Sequence, residues 1–102
     1  MNRIETLLGY LETSPHDSFL KHALALEYAK IGETSEAIRY LRDLLGENPD
    51  YVGSYYQLGK LLEQCGAFEE ALHVYEAGML AARKLSDTHA LSELQHAYDE
   101  LL

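Results

Sequence analysis

The sequence matches itself at a shift of 34 residues, the mark of a chain built from repeated structural units. Leu24 falls on Leu58, Ala25 on Gly59, Tyr28 on Leu62, Gly32 on Gly66, Glu36 on Glu70 and Ala37 on Ala71. Leu41 falls on Tyr75, Leu44 on Gly78 and Pro15 on Pro49. The matched sites are apolar, small or turn-forming, and the mismatches are mostly polar. Repeated packing imposes that selectivity, because only buried sites and turns are constrained.

Each unit reads as two helices. Two prolines and seven glycines in 102 residues leave room for them, and the Leu, Ala and Glu that dominate the middle of the chain lose little rotamer freedom on a helix. Ser14-Pro15-His16-Asp17 reads as the first start signal, with Ser14 as cap, and Asn48-Pro49-Asp50 repeats it. Gly32 and Gly66 supply the turns inside the pairs. The second helices are predicted from about Ser35 to Gly46 and from Phe68 to Lys84. Leu20, Leu24 and Tyr28 share one face, opposite Ala37, Ile38, Leu41, Leu44 and Leu45. Tyr55, Leu58 and Leu62 repeat it against Ala71, Leu72, Tyr75 and Met79. The small Ala25, Gly59, Ala37 and Ala71 allow close helix crossings.

These residues resemble the tetratricopeptide repeat (TPR) family, whose signature runs aromatic, Leu-Gly or Leu-Ala, Tyr, a Gly turn, Ala, aromatic and a closing Pro. The second copy supplies Tyr55, Leu58-Gly59, Gly66, Ala71 and Tyr75. The first supplies Leu24-Ala25, Tyr28, Gly32, Ala37 and Pro49, with Lys21 in the aromatic's place. Arg83 stands where the second Pro belongs, so that helix is expected to run long. The resemblance implies an all-α solenoid of about six helices in a short right-handed superhelix. It forms a single domain over 1–102, with a partial-repeat helix (1–13, through Leu7, Tyr10 and Leu11), repeats at 15–48 and 49–84, and a capping helix at 86–102. Ser86 or Asp87 caps that last helix, which carries Ala90, Leu91, Leu94, Ala97, Tyr98 and Leu101 at helical spacing.

The resemblance further implies a concave groove that takes a partner protein or peptide. The first helices would present Phe19, His22, Ala23, Leu26 and Lys30 from one copy and Tyr56, Gln57, Lys60 and Gln64 from the next. Leu91, Leu94 and Tyr98 of the last helix are read as filling the groove. Some family members grip a C-terminal carboxylate through a basic, Asn-rich clamp; Lys30 and Lys60 are present, but no Asn lies on those helices. An alternative is a homodimer formed through the end helices, at Leu94 or Leu101.

Other classes find little support. A net charge of −9 repels nucleic acid and anionic membrane, and suits a basic partner. Cys65 is the single cysteine, so neither an intrachain disulfide nor a cysteine-based metal site is expected, and it reads as a small filler beside Gly66. The opening residues lack a signal peptide or spanning helix, which points to the cytoplasm. His89, Glu93 and His96 share a helix face at metal-binding spacing, with His73 as a conceivable fourth ligand, but they read as solvated polar residues. No phosphate loop or nucleophilic triad is visible, so no enzyme activity and no cofactor are expected.

Overall fold

The computed structural model describes residues 2–102. Among them lie six α-helices: α1 (Arg3–Thr13), α2 (Ser18–Lys30), α3 (Thr34–Glu47), α4 (Gly53–Gln64), α5 (Phe68–Lys84) and α6 (Thr88–Leu101). They divide into two compact units, one ending at Asn48 and the other beginning at Pro49. In the first, α2 packs on α3 and α1 packs on α2; in the second, α5 lies between α4 and α6, and α6 also touches α4.

The turns inside the pairs follow from glycine. Gly32 and Gly66 have φ of +82° and +78°, a region where a side chain is strained. Glu33 N–H donates to Tyr28 C=O and Gly32 N–H to Ala29 C=O; Ala67 with Leu62 and Gly66 with Glu63 repeat both bonds. This is the Schellman closure, which satisfies the orphan carbonyls at a helix end. Ser86 makes the same closure after α5 at φ +56° without being glycine, through Asp87 N–H to Ala82 C=O.

The helix starts differ from the sequence expectation. Asp17, not Ser14, caps α2, its side chain accepting from Leu20 N–H at 3.1 Å. Ser14 instead closes α1, and Asn48 closes α3, at nearly the same backbone angles (φ −135°, ψ 67° and φ −137°, ψ 77°). The following proline ring disfavours helical backbone at the residue before it, so Ser-Pro and Asn-Pro end one helix before the next begins. Of the two residues expected to cap α6, Asp87 does so, accepting from Ala90 N–H. As expected at a site where Arg83 replaces proline, α5 continues to Lys84 and carries Arg83 and Lys84 in its last turn.

Leu24, Ala25, Ala37, Leu41 and Leu44 are buried between α2 and α3, and Leu58, Gly59, Leu62, Ala71 and Tyr75 at the matching places of α4 and α5. Tyr10 of α1 is exposed rather than packed; Leu7 is that helix's one buried residue. Cys65 is also exposed, because it ends α4 at the turn instead of filling the interior. One period beyond Leu58, Gly59 and Leu62, α6 carries Ser92, Glu93 and His96, all exposed. Its apolar side, Leu94 and Ala97, is buried instead, with Leu94 close to Gly78 of α5. Helix α6 therefore keeps the period while presenting a polar face where α2 and α4 meet their mates. Capping helices have this character.

Candidate functional site

On α2, positions 19, 22, 26 and 30 fall on one face by helical spacing. Phe19 is 62% exposed, although it is one of only two phenylalanines in the chain. Leu26 is exposed beside it, Ala23 is buried beneath, and His22 is half-buried, its burial lowering the imidazole pKa. At the helix end Lys30 Nζ lies 3.2 Å from Glu27, whose other oxygen is 3.6 Å from Arg3 of α1. The face thus offers two apolar side chains flanked by an imidazole and an ion pair.

On α4, Tyr56, Gln57 and Lys60 are all half-buried and Gln64 is exposed. Lys60 Nζ sits 5.5 Å from the Tyr56 ring centroid and 3.7 Å from Glu63. That places the ammonium between a π face and a carboxylate. Glu63 also accepts a hydrogen bond from the buried Tyr75 hydroxyl. Burial, then Glu63, pushes the Tyr75 phenol well above its ordinary value, so it remains a donor. The core thereby fixes Glu63, and Glu63 fixes Lys60. Sequence reading found Lys60 and missed the Glu63–Tyr75 support, for which the i,i+3 spacing of Lys60 and Glu63 was the available signal.

The chain's acidity lies away from these helices. Together α2 and α4 carry Lys21, Lys30 and Lys60 against Glu27 and Glu63, so the net charge of −9 accumulates elsewhere. Lys21 itself is a structural residue, 4% exposed, pairing with Asp43 at 2.8 Å and with Glu47. His16 reaches the other oxygen of Glu47 at 2.6 Å.

The remaining candidates separate. Leu94 is buried against its own unit, so it has no face to offer a dimer, which corrects that part of the end-helix expectation. Leu91 and Tyr98 are half-buried. His89, Glu93 and His96 are exposed, and His96 Nε2 turns to Glu100 at 3.2 Å. Among the described residues no group of three His, Cys, Asp or Glu side chains converges as a metal site, and no helix is long and apolar enough to cross a membrane.

Comparison with known proteins agrees with this architecture. The family pattern described as Tetratricopeptide repeat matches residues 28–95. A TPR repeat-containing protein of Methanocaldococcus jannaschii is 33% identical over 84 residues, covering 82% of this chain. The chain spans 26% of that relative's length. The crystal structure of a tetratricopeptide repeat domain protein from Salinibacter ruber superposes with a TM-score of 0.80 at 39% identity, covering 83% of this chain and 94% of that one. The TPR2B domain of yeast Sti1, solved as a complex with pHsp70, superposes at 0.89 and 16% identity over 96% of this chain and 78% of its own; at that identity the likeness is one of fold.

Proposed function

The chain belongs to the tetratricopeptide repeat family, and we propose that it binds a protein or peptide partner on the outward faces of α2 and α4. Repeats of this family are generally protein–protein interaction modules and are typically non-enzymatic. The observation that carries the assignment is the exposure of Phe19 and Leu26 on a helix whose neighbouring Leu24 and Ala25 are wholly buried. An aromatic and an aliphatic side chain left in water on an otherwise well-packed helix are the anchor type that interface centres use. Tyr56 adds a second aromatic on α4, and Lys60 is pre-positioned beside it, so little rotamer entropy is lost when a partner docks.

The partner therefore contributes apolar side chains first. Polar and charged groups meet Lys30, Gln57 and Lys60. A cytoplasmic setting suits the exposed, unpaired Cys65 thiol. The test is affinity capture from the native cell with crosslinking, comparing the parent with Leu26→Glu and Tyr56→Ala. Both variants should keep a helical spectrum and lose the captured partner. Capture retained at parental yield by both variants would exclude these faces.

A further inference from the structure

The outer side of α5 carries a feature that partner binding on α2 and α4 leaves unused. Leu80 projects there at 67% exposure, beside a hollow of about 300 Å³ lined by Glu76, Met79, Leu80, Arg83 and Tyr98. At least six of the eight lysines and arginines lie against a carboxylate: Arg3, Lys21, Lys30, Arg39, Lys60 and Lys84. Among the described residues Arg83 has no such partner, although the chain holds seventeen acids. Glu76, at the other end of the hollow, is likewise unpaired. The two stand seven residues apart on one helix, roughly 10 Å along its axis, too far to meet each other.

We propose that this face pairs with the same face of a second copy, α5 antiparallel to α5, about a two-fold axis between Met79 and Leu80. That operation sets Glu76 opposite the second copy's Arg83 and Arg83 opposite its Glu76. It also brings each Leu80 over the other's hollow beside Met79 and Tyr98. Such an interface is self-complementary, as two-fold symmetry requires. A second copy is the occupant that charge complementarity selects, because an acid, an exposed leucine and a base in this order match their own reversal. The apolar contact supplies the affinity, and the exposed ion pairs mainly set direction and register. The patch is small, so the dimer is weak, with dissociation in the tens to hundreds of micromolar.

Sedimentation equilibrium of the full chain up to about 500 µM reads the outcome, against that affinity range. The parent should approach twice the monomer mass. Leu80→Asp, Glu76→Arg and Arg83→Glu should each remain monomeric with an unchanged helical spectrum, since all three side chains are exposed. Mixing Glu76→Arg with Arg83→Glu should restore a dimer containing one copy of each, because one copy then carries a base at both positions and the other an acid at both, so both cross-pairs are attractive. A parent that stays monomeric throughout this range overturns the proposal. So does a dimer that Leu80→Asp leaves intact, or single variants that fail to pair when mixed. Leu26→Glu should leave the dimer untouched, so this interface and the partner-binding faces fail separately.

Discussion

The pairs α2–α3 and α4–α5 have the same register and reach tight packing by opposite choices of size. Where the first pair has the buried Ala25 and Leu41, the second sets Gly59 against Tyr75: a Cβ on Gly59 would lie 2.6 Å from Tyr75 Cζ. Leu44 of the first pair corresponds to Gly78, whose added Cβ would lie 2.6 Å from that of Tyr55. In place of Tyr55, the first pair holds Lys21, and the Asp43 and Glu47 that neutralise it correspond to Ala77 and Ala81. Tyr28 stacks on Tyr40 at 5.7 Å in one pair, where Leu62 and Val74 stand in the other. The period conserves the geometry of the site. Large and small, or cation and carboxylates, exchange in compensating sets.

If that account is correct, undoing both members of a set should cost less than the sum of undoing each. The largest expected effect is at Tyr75, where Tyr75→Leu opens a cavity and removes the hydroxyl from Glu63, costing about 2–4 kcal/mol. Gly59→Ala alone should cost about 1–3 kcal/mol by crowding the Tyr75 ring, overriding the usual helix gain of alanine over glycine. The double variant reproduces the Ala25–Leu41 solution and should recover about 1–2 kcal/mol relative to additivity, measured by urea unfolding of the four chains. Strict additivity would mean that the two sites are independent.

A charge test sharpens the contrast next. Hydrogen bonds from Lys21 and then His16 hold the Glu47 carboxyl below its usual range. Its contribution is therefore complete above the unfolded pKa and is lost as pH falls through the folded one. Burial alone would lower the Lys21 pKa, but Asp43 and Glu47 outweigh it and raise it. That contribution is present below the lysine's unfolded pKa and disappears as pH rises through the folded one. Lys21→Met should flatten both arms of the stability–pH curve. An unaltered curve would show that the triad contributes nothing.

The smallest effect is expected at Ser86, which makes the glycine-type closure without a glycine. Ser86→Gly should add about 0.5–1 kcal/mol, seen as a higher melting temperature. The reverse change at Gly32 or Gly66, to serine, should destabilise by a similar amount.

How far the sequence disclosed this follows from which forces are local. The period, both glycine turns and the bounds of α5 were legible because each depends on residues near in sequence. The starts of α2 and α4 were misplaced by three residues or more. A capping residue before proline looks alike whether it opens one helix or closes another, and only the backbone angles decide. Lys21 read as a defect in the aromatic position, since its partners are 22 and 26 residues away; the Asp43 and Glu47 pair at i,i+4 was the missed signal. Phe19, Leu26, Tyr56 and Lys60 were placed on the partner face through the family resemblance, not through periodicity. Leu80 escaped notice and Arg83 was read only as the replacement for a closing proline, because an exposed leucine and an unpaired arginine are visible only once the other cations have their partners.

The central claim is that α2 and α4 carry the partner. Amide NMR of the isotopically labelled chain, titrated with the captured and identified partner segment, tests it most directly. The account predicts perturbations concentrated at Phe19, His22, Leu26 and Lys30 and at Tyr56, Gln57 and Lys60, with α6 and the outer side of α5 unmoved. Perturbations confined to α6, or spread over α3 and α5 while α2 and α4 stay silent, would contradict it.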